Sequence, residues 1–190
     1  MSDDPRDHIL AEALRLVGDH GIARTSMADV ASAAGVSRAT LYRYFPGGKD
    51  EVMESLVSWE QLRFLDRLRD AVDDADDLAD LLERALMVAK RQLDGHSQLQ
   101  RVLVTEPERL FPLFMRTNSR IKDLVSRYLH TRLTRMDLAD GVDPAWAADE
   151  LARMFLGHIG AAGPWDLDDP AQVRNLVVGC FLKGIVPAAP

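Results

Sequence analysis

Thr25-Ser26-Met27-Ala28-Asp29-Val30-Ala31-Ser32-Ala33-Ala34-Gly35-Val36-Ser37-Arg38-Ala39-Thr40-Leu41-Tyr42-Arg43-Tyr44-Phe45-Pro46-Gly47-Gly48-Lys49-Asp50-Glu51 is the stretch on which the reading of this chain turns. Ser26 and Asp29 stand three apart, the spacing of a capping box, in which hydroxyl and carboxylate each satisfy a free backbone N–H at a helix start. The spacing predicts a short helix to about Ala34. Gly35 supplies a turn, Ser37 can cap a second short helix over Arg38 to Phe45, and Pro46-Gly47-Gly48 breaks the chain. A longer helix from about Arg6 to His20, stopped by Gly21, precedes the pair. A supporting helix followed by two short ones around a glycine turn are the elements of a helix-turn-helix. Val30, Ala31 and Ala34 face inward, Val36 packs in the turn and Leu41 anchors the second short helix. Its outward positions are then Arg38, Ala39, Thr40, Tyr42, Arg43 and Tyr44. Such side chains suit a duplex: arginine reads guanine edges, threonine bonds bases or phosphates, alanine allows close approach to a thymine methyl, and tyrosine hydroxyls hold phosphates.

Charge distribution agrees. The whole chain is acidic, at −7, yet between His20 and Lys49 four cations (Arg24, Arg38, Arg43, Lys49) face one anion, Asp29. The acidity is densest where Asp66, Asp70, Asp73, Asp74, Asp76, Asp77 and Asp80 crowd a solvated turn between helices. A small basic patch on an acidic body suits a protein that meets DNA at one end. Apolar residues recur at three- and four-residue intervals almost throughout, so the chain reads as all-α, with about nine helices. Beyond Lys49 the periodicity predicts helices to Val72, over Leu78 to Leu93, and over Ser97 to Thr105, ended by Pro107. Pro112 is expected to interrupt the stretch Leu110 to Met115 before a helix over Thr117 to Met136. Asp143-Pro144 and Asp169-Pro170 each set an acidic cap before a first-turn proline, opening helices over Ala145 to about Ala161 and Ala171 to Ile185.

The quoted run, with its alanine-glycine-valine turn and its leucine-tyrosine-x-tyrosine-phenylalanine helix end, closely resembles the signature of the tetracycline-repressor (TetR) family of regulators. The resemblance implies a DNA-binding domain over 1–48 and an effector-binding, dimerising domain over 49–190. By position, Arg38, Ala39, Thr40 and Tyr42 would face bases or adjacent backbone, and Thr25, Ser26, Tyr44 and Lys49 would hold phosphate. Lys49 has an independent reason to do so, since it opens a helix whose N-terminal dipole also favours an anion. The loop Pro46-Gly47-Gly48 is more flexible than one with a single glycine, which bears on how far Lys49 reaches. The implied partners are double-stranded operator DNA, a second copy of the chain and an unidentified, largely apolar small molecule that releases a repressor; no cofactor is implied. Trp59, Phe64, Met87, Phe111, Phe114, Met115, Tyr128 and Phe155 are the candidates to line an effector cavity, although large apolar side chains at helical spacing equally fit plain core. Phe155, Gly157, Ile159, Gly160, Ala161, Val177, Cys180 and Phe181 are the candidates for the dimer seam; the small residues among them also fit a helix end ahead of Pro164.

Other classes find little support. The five histidines are scattered and no serine sits in a glycine-bounded turn, which argues against an enzyme. One cysteine, Cys180, leaves no intramolecular disulfide and no thiol cluster for a metal. The opening MSDDPRDHIL lacks a basic stretch followed by an apolar one, and no run of about 18 apolar residues occurs. A cytoplasmic protein without a membrane segment is expected. The remaining rival is a helical adaptor whose helix-turn-helix binds protein.

Overall fold

The computed structural model describes residues 4–160 and 163–187, and every regular element among them is helical. The elements are α1 (Pro5–His20), α2 (Met27–Ala33), α3 (Arg38–Tyr44), α4 (Lys49–Val72), α5 (Leu78–Gly95), α6 (Ser97–Thr105), α7 (Pro107–Leu133), α8 (Pro144–Gly160) and α9 (Pro170–Leu176), the last continued by a π-helical turn, Val177–Phe181. They fall into two compact units. The first takes the chain up to Arg63 together with Leu93–Asn118; the second takes Phe64–Gln92 and the chain from Ser119 on.

The first unit is built on α1. Its buried stripe Ile9, Leu10, Ala13, Leu16 and Val17 joins Val30 and Ala31 of α2, Leu41 of α3, Phe45, and Val52, Met53 and Leu56 of α4 in one apolar cluster. Val102 of α6 and Leu110 of α7 close it. Phe45 and Leu41 are wholly buried, and each such side chain removed from water contributes about 1.5–3 kcal/mol. Here the expected break at Pro112 does not occur, because α7 runs through it unbroken. Pro112 lies only five residues beyond the first residue of α7, so the carbonyl it leaves without a donor is that of Glu108 in the first turn. Leu110 is buried just before it, and farther on Thr117 is buried with its hydroxyl donating to the Leu113 and Phe114 carbonyls, at 3.2 and 3.1 Å. The helix is held on both sides of the missing bond.

The second unit has its own core: Leu68 and Val72 of α4; Leu78, Leu81, Leu82, Ala85, Leu86 and Ala89 of α5; Leu129 and Leu133 of α7; Ala147, Ala148, Leu151, Ala152 and Phe155 of α8; and Val173, Leu176, Val177 and Phe181 at the C-terminal end. The aspartates ahead of α5 are a capped turn: Asp77 accepts from the Asp80 N–H at 2.8 Å, Asp80 from the Asp76 N–H at 3.0 Å, and Arg84 bridges Asp74 and Asp80. The last helix departs from the sequence expectation of one α-helix to Ile185. After Leu176 the chain widens, with the Leu182 N–H donating to the Val177 carbonyl five residues back at 2.9 Å. A π turn inserts one residue into the helical register. The inward stripe therefore passes from Val173, Leu176 and Val177 to Phe181, Leu182 and Ile185, while Val178, Gly179 and Cys180 are turned outward.

Candidate nucleic-acid interface

α2 and α3 have seven residues each, too few to persist alone, and their ends carry the information that sets them. Ser26 and Asp29 form the full capping box: the Asp29 N–H donates to the Ser26 hydroxyl at 3.2 Å, and the Asp29 carboxylate accepts from the Ser26 N–H at 3.0 Å and from its hydroxyl at 2.6 Å. The Ser26 hydroxyl, and then the Ser26 N–H, hold the Asp29 carboxyl below its ordinary value of 3.8. Gly35 makes the turn at φ +65°, a left-handed conformation that a side chain would strain. Ser37 then caps α3, accepting from the Thr40 N–H at 3.1 Å, with the two hydroxyls 3.0 Å apart.

With Leu41 and Phe45 inward, the opposite side of α3 is fixed. Arg38, Ala39, Tyr42 and Arg43 are exposed along one face, as helical geometry requires of positions i, i+1, i+4 and i+5. Thr40 and Tyr44 are half-buried at its edges, and the Arg43 guanidinium lies 5.6 Å from the Tyr44 ring centre. The α3 candidates are thus brought together on one basic, hydrogen-bonding surface. The flanking candidates fare differently. Ser26 is exposed at the start of α2, but Thr25 is buried and its hydroxyl donates to the Gly21 carbonyl at 2.8 Å, so its side chain serves the turn. The loop before α4 is pinned by Glu51, whose carboxylate accepts from the Gly47 N–H at 2.7 Å, and Lys49 reaches the Ala23 carbonyl with its ammonium at 3.0 Å. One residue that sequence reasoning missed is Glu106, whose carboxylate accepts from the Ala23 N–H at 2.8 Å from 83 positions away. No local pattern marks such a contact.

The effector candidates divide. Trp59 and Phe114 pack against the first unit's core; Phe64, Met87, Tyr128 and Phe155 belong to the second unit's core; Phe111 and Met115 are exposed, at 57% and 72%. Tyr128 accepts from the Arg132 guanidinium at 2.9 Å, which gives the second unit's group one polar tip. Of the seam candidates, Phe155, Val177 and Phe181 are buried in the chain's own core, Phe181 beside the His158 ring with centroids 5.1 Å apart. Side chains already shielded from water have no apolar surface to offer a second copy, which corrects their assignment. Gly157, Gly160 and Cys180 are exposed and Ile159 is half-buried; Ala161 lies outside the described residues. Trp146 of α8 and Val178 of the π turn are exposed as well, at 54% and 53%.

Residues 9–56, from α1 to the start of α4, match the family model described as bacterial regulatory proteins, tetR family. An uncharacterised helix-turn-helix transcriptional regulator of Mycobacterium tuberculosis (strain CDC 1551 / Oshkosh) is 37% identical over 117 residues, 56% of this chain and 59% of that protein, so the chain spans little more than half of that relative's length. The nucleoid occlusion factor SlmA of Aliivibrio fischeri (strain MJ11) is 30% identical over 158 residues, 80% of each chain. Among solved structures, the SmeT–triclosan complex superposes with a TM-score of 0.63 at 22% identity, over 97% of this chain and 93% of that one, a likeness of fold. With the capping box, the glycine turn and the exposed basic face of α3 in the same residues that the family model matches, this chain belongs to the TetR family of transcriptional regulators.

Proposed function

We propose that the chain is a sequence-specific DNA-binding repressor, working as a homodimer in the cytoplasm and released from its operator by a small, largely apolar molecule. The reader is assigned to 1–48 and the effector-binding, dimerising body to 49–190. The observation that carries this reading is the outward face of α3, where Arg38, Ala39 and Tyr42 stand exposed side by side on a helix held from behind by Leu41 and Phe45. α3 would lie in the major groove, with Arg38 bidentate to a guanine edge and Ala39 against a thymine methyl. Ser26, Tyr44 and Lys49 would meet phosphates. No helix of the described residues is long and apolar enough to cross a membrane, which fits the compartment proposed.

For the effector we favour the second unit's Phe64, Met87, Tyr128 and Phe155 as the apolar lining, and the triclosan in the related SmeT complex supports a ligand of that character. The exposed side of α8 and of the π turn, with Trp146, Gly157, Gly160, Val178 and Cys180, is the proposed dimer seam. Coupling would run along α4, one unbroken helix of 24 residues that opens with Lys49 and ends in Leu68 and Val72 of the second core. A ligand that lowers operator affinity must itself be weakened by operator to the same factor, about 5- to 150-fold for an ordinary coupling of 1–3 kcal/mol. Mobility-shift titration against the DNA flanking its own gene tests the reading. If a dimer neutralises about six phosphates, log affinity should fall against log salt with a slope near −5. Salt-independent binding, or equal affinity for scrambled duplex, would remove the proposal.

A further inference from the structure

The turn between α1 and α2, from which the DNA reader is hung, is held by its own side chains and by others that come from elsewhere in the chain. Thr25 donates to the Gly21 carbonyl at 2.8 Å, and Arg24 to the His20 carbonyl, also at 2.8 Å. Both bonds are local. The Ala23 backbone is gripped from outside: Lys49, at the start of α4, donates to its carbonyl at 3.0 Å, and Glu106, the residue between α6 and α7, accepts from its N–H at 2.8 Å. Glu106 is itself well fixed. Its backbone N–H donates to the Val102 carbonyl at 2.8 Å, closing α6; Arg109 lies 3.4 Å from its carboxylate; and its side chain is only 15% exposed. The site is also shaped for it. Gly21 has φ +86°, and a Cβ at that position would run into Glu106 Oε1, so the glycine that ends α1 leaves the room the carboxylate occupies. Arg101 of α6 adds a second tie by donating to the free Gly18 carbonyl in the last turn of α1 at 2.9 Å, where a cation also complements the helix dipole.

We propose, resting on the DNA-reading function argued above, that Glu106 is a positioning residue for operator binding: its carboxylate and Lys49 hold the N–H and the carbonyl of Ala23, in the two peptide groups that flank its Cα, and so set the angle at which α2 and α3 are presented. Ala23 is exposed, so water would satisfy its N–H if the carboxylate were removed. The bond therefore adds little to global stability, and its effect lies in selecting one orientation of the turn. The register matters because Ser26 caps α2 three residues after Ala23, and α3 follows α2 through the single turn at Gly35. Lys49 consequently has two jobs. One of its three N–H donors is committed to Ala23, leaving two for phosphate.

Glu106→Ala and Glu106→Gln test this in the full chain; glutamine keeps an acceptor oxygen at the same reach. In the absence of DNA, exchange of the Ala23 amide should be slow in the wild type, fast in Glu106→Ala and slow again in Glu106→Gln. With operator, Glu106→Ala should bind about tenfold more weakly, the effect of leaving about a tenth of the molecules in the competent orientation, with unchanged affinity for scrambled duplex and an unchanged unfolding temperature. Glu106→Gln should recover most of the loss. Unchanged operator affinity in Glu106→Ala overturns the proposal, as does an equal loss on scrambled duplex, a parallel drop in unfolding temperature or a loss that glutamine leaves unrepaired. A wild-type chain that binds no duplex at all overturns the regulator function instead, while the exchange measurement still decides whether Glu106 holds Ala23.

Discussion

The two packing units are made from the same kind of helix and are specified in different ways. In the first, α2 and α3 are helices of seven residues set by Ser26, Asp29, Gly35 and Ser37, residues that act on atoms three or four positions away. In the second, α5 and α8 are also capped at their starts, by Asp77 and Asp143, but they are long helices whose placement rests on stripes of leucine and alanine that meet residues far off in sequence. A local device has only one arrangement that satisfies its backbone groups, so it can be read from residue types. An apolar stripe shows that a face is buried and leaves open what buries it.

That contrast can be broken most severely at Phe181. It is 1% exposed, so Phe181→Ala should cost about 3–5 kcal/mol of stability, measured by urea unfolding of the chain. If Phe181 instead belonged to a seam between copies, the variant would stay folded and shift to monomer in sedimentation. The counterpart in the reader is Arg38→Ala. Arg38 is exposed, so the unfolding midpoint should stay put while operator binding weakens by about 1–3 kcal/mol and base preference relaxes at one position. A loss spread evenly over all duplexes would make Arg38 a phosphate contact. A smaller effect is expected at Ser26. Ser26→Ala removes the cap of α2 and should cost about 0.5–2 kcal/mol, with helix loss seen first in the α2 amides by hydrogen exchange.

The helices of the reader were legible because each of their ends is written in neighbouring residues: the Ser26–Asp29 box, the Gly35 turn and the Ser37 cap all stand as the spacing implies. The α3 face followed, since burying Leu41 leaves no choice for Arg38, Ala39 and Tyr42. Thr25 escaped because a hydroxyl reaching back to Gly21 looks the same in sequence as one reaching out to phosphate. Glu106 escaped because its partner is a backbone N–H, which every residue but proline carries. In the body, Pro112 misled because a proline's cost depends on how near the helix start it falls, and α7 begins earlier than the apolar pattern suggested. Phe155, Val177 and Phe181 have the apolar character of a seam and of a core alike. The π turn that turns Cys180 outward and Leu182 inward is a one-residue change of register that periodicity cannot reveal.

The smallest effect separates the units by pH. In the reader, Asp29 stands alone in its box, its carboxyl held below 3.8 by Ser26. In the body, Asp149 of α8 pairs with Lys122 of α7: the Lys122 ammonium, aided by Arg153, holds the Asp149 carboxyl below 3.8, and the Asp149 carboxylate, aided by Asp123, raises the Lys122 ammonium above its ordinary 10.5. A carboxyl lowered on folding contributes stability that is complete above its unfolded value of 3.8 and is lost as pH falls through the folded value. A raised ammonium contributes stability that is complete below 10.5 and is lost as pH rises through the folded value. The reader's box therefore has an acid limb only, whereas the body's pair has an acid and an alkaline limb. Asp149→Asn should shrink both, so that the wild-type advantage seen in urea midpoints at neutrality narrows below 3.8 and again above 10.5. Ser26→Ala should narrow the difference on the acid side alone. Both Lys122 and Asp149 are about a quarter exposed, at 28% and 27%, so screening keeps the effect small and added salt should reduce it further. A midpoint difference for Asp149→Asn that stays constant across the whole pH range would mean that the pair is structural bulk and that its charges contribute nothing.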